Sequence, residues 1–486
     1  MTMTRQLLIG GQELAAAAGR TADDVDPYTG ELFATVAAAG PEDATRAVDA
    51  AASAFKEWSA TSPSERRRTL WKAADILEAR AQEAAALMTA ETGAVAPWGY
   101  FNVHLASEML REAASLASQP VGEVLTTSTP GAVSLALRQP AGVVAAFAPW
   151  NAPIILGTRS IATALAVGNT VVMKPSEHAP LSAGLWLADI MAEAGLPAGA
   201  CNVVTTTPED APAVAEVLIS DPRVRRVSFT GSTRVGRAIA QLAGRHLTPA
   251  VLELGGKNSV VVLEDADLGY AVNAIAFGAY LNSGQICMSA DRVVALKAVA
   301  GELAERLADK AAKLPAGDPR DPGTLIGPLI TVRAAERVAD LVQEAAASGA
   351  RVMAGGGRPD RAVYPASVLS GVTPAMAIEK DEIFGPVCTV LAVDSDEEAV
   401  AVANSTSYGL TAGVITEDVR RGFDIARQLR TGIVHVNDQP VDDEPQAPFG
   451  GMGDSGYGRF GGRAGAEAFT DLRWVTVQQG HRPFPF

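Results

Sequence analysis

A buried strand runs directly into a helix at Val227-Ser228-Phe229-Thr230-Gly231-Ser232-Thr233-Arg234-Val235-Gly236, with a glycine turn between the two patterns. Residues 227–230 contain no charged side chain, which favours a strand covered on both faces. Residues 234–243 then follow the helical period. A helix is also predicted at Leu181–Ala194, and this alternation of elements indicates a parallel sheet with helices on both faces. Upstream segments with the same covered-strand pattern are Gly142–Phe147, Thr170–Met173 and Asn202–Thr205.

A second series of strands and helices follows downstream. Its predicted strands are Val260–Leu263, Val293–Leu296, Val387–Val393, Ala412–Thr416 and Ile433–Val436. A helix, Arg420–Leu429, is predicted between the last two strands. At 486 residues the chain is too long for one simple core. We therefore expect an α/β fold with two open, Rossmann-like α/β domains that meet near Leu254–Lys257.

Two helices are predicted before the first strand series. Residues 43–58 place their apolar side chains on one helical face. Ser62 then fits an N-cap, Pro63 fits the first turn, and Glu65 completes a capping box. The apolar period continues without interruption, so we expect one second helix that ends near Gly93.

Two segments alternate in polarity and fit neither series. They are Ala132–Arg138 and Leu472–Gln478. Strands exposed on one side pair with another chain unless something covers them. We predict a small β arm for oligomerisation, formed by residues 122–140 and 454–486. An internal flap is the alternative.

Composition argues against several function classes. A net charge of −15 makes nucleic acid a poor partner. No apolar run reaches the ~18 residues that span a bilayer, and Met1–Gly11 lacks the pattern of a signal peptide. The cysteines, Cys201, Cys287 and Cys388, are widely spaced, which favours a reducing cytoplasm over a disulfide framework. No cysteine or histidine pair has zinc-ligand spacing, so no metal is expected.

Cys287 and Glu253 carry the groups needed for covalent acyl chemistry. Cys287 ends Gly284-Gln285-Ile286-Cys287, and Glu253 begins Glu253-Leu254-Gly255-Gly256-Lys257, 34 residues upstream. A cysteine attacks a carbonyl carbon as the thiolate. A carboxylate on a glycine-flanked segment can activate water as a general base. Taken alone, Cys287 fits a buried, inert thiol better.

Two segments at predicted strand ends suit a dinucleotide. Gly231, Ser232 and Gly236 open a helix, where free N–H groups and a partial positive charge favour phosphate. Their spacing departs from Gly-x-Gly-x-x-Gly, so this signal is weak alone. Lys174-Pro175-Ser176-Glu177 follows another strand, at the edge where open α/β sheets bind ligands. A surface lysine followed by a loop explains the same residues.

Together these segments resemble the aldehyde dehydrogenase superfamily over nearly the whole chain. The resemblance implies an aldehyde dehydrogenase-like fold with a dinucleotide-binding domain (residues 1–121 and 141–254) and a catalytic domain (residues 255–453). The matching motifs, in the family's order, are Ala148-Pro149-Trp150-Asn151, Lys174-Pro175-Ser176-Glu177, Phe229-Thr230-Gly231-Ser232, Glu253-Leu254-Gly255-Gly256-Lys257, Gly284-Gln285-Ile286-Cys287, Glu382-Ile383-Phe384-Gly385-Pro386 and Pro448-Phe449-Gly450-Gly451.

The resemblance also implies a role for each site residue. Cys287 attacks the aldehyde carbon, and the Asn151 amide and the Cys287 backbone N–H hold the oxyanion. Hydride then passes to the nicotinamide, and Glu253 activates the water that hydrolyses the thioester. The implied cofactor contacts are Pro149, Trp150, Lys174, Glu177, Gly231, Ser232, Gly236, Leu254, Glu382 and Phe384.

The predicted cofactor is NAD. A carboxylate at Glu177 can bind both ribose hydroxyls, and it repels a 2′-phosphate. Lys174 beside it partly offsets that repulsion, so NADP is the alternative. The predicted assembly is a homodimer or a homotetramer, and the predicted location is the cytoplasm.

The substrate class is indicated by two further segments. Residues 450–474 and Asn151–Arg159 resemble the vanillin, salicylaldehyde and benzaldehyde dehydrogenases, so we expect an aromatic aldehyde. Phe460 departs from many other relatives, which carry a glutamate after the Gly-Arg pair that is assigned to a proton relay. Aromatic pockets need flat apolar walls and a few polar groups. The candidate wall residues are Trp98, Tyr100, Ile154, Arg159, Ile286, Met288 and Phe449.

Three alternatives stay open at this point. Relatives that transfer the acyl group to coenzyme A usually lack the glutamate that Glu253 represents. A dehydrogenase for aliphatic aldehydes or semialdehydes uses the same machinery with a different pocket. A catalytically silent structural homologue has no need to retain Cys287, Glu253 and Asn151 together.

Overall fold

Two large, mostly parallel sheets form the centre of the computed structural model, which describes residues 3–119 and 121–486. The five central strands of the first sheet are parallel, and antiparallel strands extend both of its edges. The eight strands lie in the order Gly456–Tyr457, Ala250–Glu253, Val224–Thr230, Val143–Ala148, Thr170–Pro175, Cys201–Val203, Leu7–Ile9 and Gln12–Leu14.

The second sheet has seven strands, of which only the first pair is antiparallel. Their order is Arg351–Ala354, Ser367–Ser370, Val387–Val393, Arg292–Leu296, Ser259–Val262, Thr411–Ile415 and Ile433–Val436. The chain passes from one sheet to the other between Glu253 and Ser259. Two open α/β sheets are thus confirmed. The domain limits stay a prediction, and Gly456–Tyr457, within the predicted arm segment, pairs with the first sheet.

Helices cover the faces of both sheets. Along residues 143–147 of the strand Val143–Ala148, successive side chains alternate between two separate apolar clusters, which explains the uninterrupted apolar sequence. Among residues 3–119 and 121–486, no helix is both long and apolar enough to cross a membrane. The α-helices are Pro41–Ala60, Pro63–Ala79, Ala81–Thr92, Ala96–Leu116, Pro153–Ala166, Trp186–Glu193, Ala211–Ser220, Thr233–His246, Leu268–Tyr280, Lys297–Ala311, Val332–Ala347, Ala377–Lys380, Asp396–Ala403, Val419–Ala426 and Gly462–Ala468.

The predicted single helix ending near Gly93 is wrong, because it breaks in two at Arg80. The Ser62 capping box is present, with the Glu65 backbone N–H donating to Ser62 Oγ over 3.3 Å. Arg80 leaves the helical conformation (φ −103°, ψ 20°), and its guanidinium pairs with Glu83 and Glu193. The apolar periodicity of the predicted second helix does not reveal these polar contacts. Leu181–Ala194 also differs from a simple helix, because it opens with the π-helical turn Leu181–Leu185.

The two alternating segments pair with each other in a separate three-stranded sheet. Its strands are Gly122–Leu125, Ala132–Pro140 and Thr470–Gln478, and the last two run antiparallel over their whole length. Trp474 and Val124 are 74% and 78% exposed. The arm therefore presents large apolar side chains at its surface. Smaller sheets join Met3–Arg5, Leu32–Ala37 and Thr21–Val25, and Tyr408–Gly409 with Met452–Gly453.

Candidate active site

The predicted site residues gather where the carboxyl edge of the first sheet meets loops of the second. Pro149, Trp150 and Asn151 follow the strand Val143–Ala148, and Gly231 and Ser232 follow its neighbour Val224–Thr230. The chain order of the sheet reverses between these two strands. Such a switch point opens a crevice at the carboxyl ends of the strands, which is where open α/β sheets bind ligands.

Cys287 follows a sharp turn of three residues in the left-handed conformation. Asn282, Ser283 and Gly284 have φ values of 48°, 56° and 68°. A Cβ on Gly284 would overlap the carbonyl oxygen of Gly385. Left-handed backbone at residues other than glycine costs about 1–3 kcal/mol each, so surrounding contacts must hold it. The turn leaves Cys287 partly exposed, whereas Cys201 and Cys388 are buried.

Asn151 is bonded to the cysteine loop on two sides. Its side-chain Nδ2 donates to the carbonyl oxygen of Gln285 over 3.0 Å. Its own carbonyl oxygen accepts from Trp98 Nε1 at 3.0 Å and from Asn282 Nδ2 at 2.9 Å. Within the described residues, the backbone N–H of Cys287 has no acceptor. The sequence therefore brings an amide donor and a free N–H into the same loop.

Asn258 fixes the other side of the cysteine and was missed by the sequence analysis. Its Nδ2 donates to the carbonyl oxygens of Cys287 (2.8 Å) and Ser289 (2.9 Å). A Cβ on Gly256 would lie 2.5 Å from the Cys287 carbonyl oxygen. The glycine pair of the Glu253–Lys257 motif therefore permits close approach to the cysteine loop. No pattern in the sequence marked Asn258 for this contact.

A buried ion pair joins the remaining loops. Lys257 Nζ lies 3.1 Å from Asp291 Oδ2, which also accepts from the Ile383 backbone N–H at 3.1 Å. Glu382 Oε1 accepts from the Gly256 backbone N–H at 3.0 Å. Burial raises the pKa of Glu382 to about 7. Asp291 lies outside every recognisable motif, so its role in the loop assembly was also missed.

Glu253 is buried with no hydrogen-bond partner for either oxygen among the described residues. Burial raises its pKa to about 8, and the positive charges of Arg159 and Arg459 oppose that rise. Burial also raises the pKa of the Cys287 thiol well above its usual value, and the Glu253 charge adds to the effect. A carboxyl with a pKa near neutrality and free lone pairs suits a general base.

Arg159 forms a buried ion pair with Asp443. Its guanidinium carbon lies 4.0 Å from the centre of the Phe449 ring. Phe460 is buried and packs against Phe469, with ring centres 6.3 Å apart. The phenyl ring that replaces the expected glutamate therefore belongs to the apolar core. Asp443 is a third residue that the sequence analysis missed, since it sits in an acidic run typical of a surface loop.

The predicted cofactor residues line the same edge. Lys174 Nζ lies 2.5 Å from Glu177 Oε1 and 3.3 Å from Thr206 Oγ1. Ser232 caps the helix Thr233–His246, accepting from the Val235 backbone N–H at 3.4 Å. Two contacts link predicted cofactor residues directly: a Cβ on Gly236 would overlap Leu254, and the Trp150 ring meets that of Phe384 edge-on with centres 5.6 Å apart. A Cβ on Gly231 would meet the Phe229 ring.

The candidate wall residues differ in their surroundings. Tyr100 is 48% exposed, whereas Trp98 is buried and holds the Asn151 backbone. The guanidinium of Arg159 forms an ion pair with the carboxylate of Asp443. The remaining candidates lie, together with Trp98, in one apolar cluster against which Cys287 packs: Ile154, Ile286, Met288 and Phe449.

Comparison with known proteins gives a consistent set of relatives. A profile of the Aldehyde dehydrogenase family matches residues 14–475. Vanillin dehydrogenase from Pseudomonas sp. strain HR199 is 51% identical over 479 residues, 99% of each chain. Benzaldehyde dehydrogenase (NAD(+)) from Pseudomonas putida is 43% identical over 471 residues, 97% of this chain and 96% of that protein. The crystal structure of a salicylaldehyde dehydrogenase from Pseudomonas putida G7, complexed with salicylaldehyde, superimposes with a TM-score of 0.97 at 41% identity, covering 100% of both chains. The chain therefore belongs to the aldehyde dehydrogenase family.

Proposed function

We propose that this chain oxidises aromatic aldehydes to carboxylic acids, with NAD as the hydride acceptor. The observation that carries the proposal is that Glu253, a buried carboxyl without a hydrogen-bond partner among the described residues, begins the segment whose Gly256 lies against the Cys287 carbonyl oxygen. The thiol is partly exposed, and burial and the charge of Glu253 raise its pKa. Asn151, bonded to the same loop, supplies the third group. One residue attacks, one stabilises negative charge and one activates water.

The donor set at the switch point fits a dinucleotide. The helix Thr233–His246 begins at the crevice, and its first-turn N–H groups suit a pyrophosphate. Glu177 can accept hydrogen bonds from ribose hydroxyls, and Glu382 offers a second carboxyl for the other ribose. When bound, the nicotinamide supplies a two-electron acceptor.

The first half of the reaction forms a bond between Cys287 and the substrate. The partly exposed Cys287 thiol gives up its proton to solvent water, and the thiolate sulfur attacks the aldehyde carbon to give a thiohemiacetal. The Asn151 amide and the Cys287 backbone N–H then stabilise its oxyanion, a contribution worth about 3–4 kcal/mol in comparable enzymes. Once the hydride has left this carbon, the acyl group remains on Cys287 as a thioester.

The second half releases the acid. Glu253 takes a proton from water, and the water oxygen attacks the thioester carbon. The carbon–sulfur bond breaks, and the sulfur leaves as the thiolate. Because Glu253 is present and unpartnered, we favour hydrolysis over transfer to coenzyme A.

Two observations support an aromatic substrate over an aliphatic one. Cys287 packs against an apolar cluster whose members include Trp98 and Phe449, and flat apolar side chains suit an aromatic ring. The similar proteins bear the names of vanillin, benzaldehyde and salicylaldehyde dehydrogenases. An aliphatic or semialdehyde dehydrogenase stays the second candidate, because the chemistry at Cys287 is common to both.

The contact between Lys174 and Glu177 supports NAD over NADP. The Lys174 ammonium already lies 2.5 Å from the Glu177 carboxylate and also donates to the Pro175 carbonyl oxygen. A 2′-phosphate there would meet a negative charge whose cationic neighbour is already engaged. Glu177→Gln should therefore raise kcat/KM for NADP relative to NAD.

The assembly and location are also proposals. The exposed apolar side chains of the arm, Trp474 among them, support association into a homodimer or homotetramer through this sheet. Light scattering of the purified protein measures this directly. Free cysteines throughout the described chain suit a reducing cytoplasm.

The experiment that tests the function is a panel of aldehydes. NADH formation is followed with benzaldehyde, vanillin, salicylaldehyde and hexanal, each with and without coenzyme A. The proposal expects the aromatic aldehydes to be oxidised faster than hexanal, without a requirement for coenzyme A. Cys287→Ala should be inactive, whereas the buried-thiol control Cys201→Ala should keep its turnover. Faster oxidation of hexanal would overturn the aromatic assignment.

A further inference from the structure

A buried ion pair lies in the otherwise apolar surroundings of the nucleophile. The side chains of Arg159 and Asp443 are only 6% and 7% exposed. Arg159 stacks on Phe449, which belongs to the cluster that packs against Cys287. The charges of both residues also act on the pKa values of the Cys287 thiol and the Glu253 carboxyl. The pair therefore sits near the reacting groups.

The carboxylate of this pair is only half satisfied. Asp443 Oδ2 is bound to Arg159, whereas Asp443 Oδ1 is buried and has no partner among the described residues. A buried acceptor without a donor costs about 1–3 kcal/mol, and such an atom in a native protein calls for an explanation. A single polar atom in an apolar wall is the arrangement by which pockets orient their ligands.

Among three consecutive acidic residues, Asp443 is the one whose side chain is buried. Asp442 and Glu444 are exposed, and the Asp442 side chain is 47% exposed. Arg159 also belongs to the helix Pro153–Ala166, which begins two residues after Asn151. The ion pair thus holds one carboxylate of the loop against the helix that follows Asn151 in the chain.

We propose that Asp443 Oδ1 accepts a hydrogen bond from a hydroxyl group on the aromatic ring, so that hydroxylated aromatic aldehydes are the preferred substrates. The inference rests on the proposed function. Arg159 acts as a positioning residue, because it holds the carboxylate in place. A ring with hydrogen or methoxy at that position leaves Oδ1 buried without a donor, and sites built for a hydroxyl discriminate strongly against analogues that lack it.

The test compares substrate ratios within each protein. For the 2-, 3- and 4-positions, kcat/KM is measured for the hydroxybenzaldehyde and the matching methoxybenzaldehyde. The ratio of the two kcat/KM values is then compared between wild type and variant. Differences in the intrinsic reactivity of the aldehydes cancel in this comparison, and so does any change in the pKa of Glu253. At one ring position, the wild type should prefer the hydroxyl compound, and the ratio should fall about tenfold in the double variant Arg159→Met/Asp443→Leu. This variant leaves no unpaired buried charge.

Two further variants serve as controls for this test. Asp442→Asn removes an adjacent exposed charge, and its ratio should equal that of the wild type. Cys287→Ala keeps the pocket but cannot react, so fluorescence titration with the same aldehydes measures recognition even if the double variant fails to fold. Oxidation of benzaldehyde without any hydroxyl preference in the wild type, or an unchanged ratio in the double variant, overturns the inference and leaves the proposed function standing. Absence of NADH with every aldehyde overturns both.

Discussion

The side-chain amide of Asn151 donates to the backbone carbonyl of Gln285 over 3.0 Å, two residues before Cys287. This bond joins the carboxyl edge of the first sheet to the cysteine loop of the second. Trp98 and Asn282 hold the Asn151 backbone from the other side. The donor is thereby fixed before any substrate arrives, which is the condition under which a hydrogen bond stabilises a transition state well.

Replacing Asn151 should slow the first chemical step. Asn151→Ala removes the donor, so the rate of the NADH burst should fall about 100- to 1,000-fold. The KM for aldehyde should change far less, because the oxyanion forms only during the reaction. Rapid-mixing absorbance measurements give the burst rate directly. An unchanged burst rate would show that other groups hold the oxyanion.

The rate of thioester hydrolysis should increase with pH. Burial raises the pKa of Glu253 to about 8, and only the deprotonated carboxylate accepts a proton from water. The hydrolysis rate should therefore rise through neutrality and level off above about pH 8. Removing the cation in Arg159→Met should raise this pKa and move the inflection to higher pH. The hydrolysis phase of a single turnover measures both, and a rate independent of pH would contradict the role of Glu253.

Removing one partner of the buried ion pair Lys257–Asp291 should destabilise the fold far more than replacing both partners. Both side chains are at most 3% exposed, with 3.1 Å between Nζ and Oδ2. Asp291→Ala strands a buried ammonium, so the free energy of unfolding should drop by about 3–5 kcal/mol. The double variant Lys257→Met/Asp291→Leu should be markedly more stable than this single variant. Urea denaturation compares them, and equal losses would mean that charge burial is not the cause.

Gly284 should tolerate no side chain. Its φ is +68°, and a Cβ would overlap the carbonyl oxygen of Gly385. Gly284→Ala must therefore move the cysteine loop, and both the burst rate and the melting temperature should fall. Gly301→Ala is the matched control, because Gly301 lies in a helix with open space around it. That change should stabilise the protein by about 0.5–1 kcal/mol. Similar melting temperatures for the two variants would contradict the tight turn.

Local sequence patterns were sufficient for the parallel strands and for the Ser62 helix cap, because both depend on neighbouring residues. The break at Arg80 escaped the analysis, since the apolar period runs through it, and the ion pairs of Arg80 with Glu83 and the distant Glu193 leave no mark on that period. The pairing of residues 132–140 with 470–478 was likewise out of reach of local patterns. Each strand alternates in polarity, but this alternation does not specify which other strand it pairs with.

The candidate site likewise combines residues that local sequence patterns predict with residues that they do not. The glycine-flanked motifs around Cys287 and Glu253 could be read directly, because close backbone approach requires glycine there. Asp443 could not be distinguished from the exposed Asp442, since its burial depends on Arg159 from a distant helix. Asn258 and Asp291 act through backbone carbonyl and N–H groups, which have no sequence signature. The roles assigned to the predicted residues stay proposals that the variants above test.

The most direct measurement of the central claim is the NADH yield of Glu253→Gln in a single burst. The variant keeps Cys287 and Asn151, so acylation should proceed, but it lacks the base that activates water. The account predicts one equivalent of NADH per active site, followed by a stall with the acyl group on Cys287, which mass spectrometry of the intact protein would detect. Steady turnover without an accumulated thioester would contradict the account, because another group would then perform the hydrolysis.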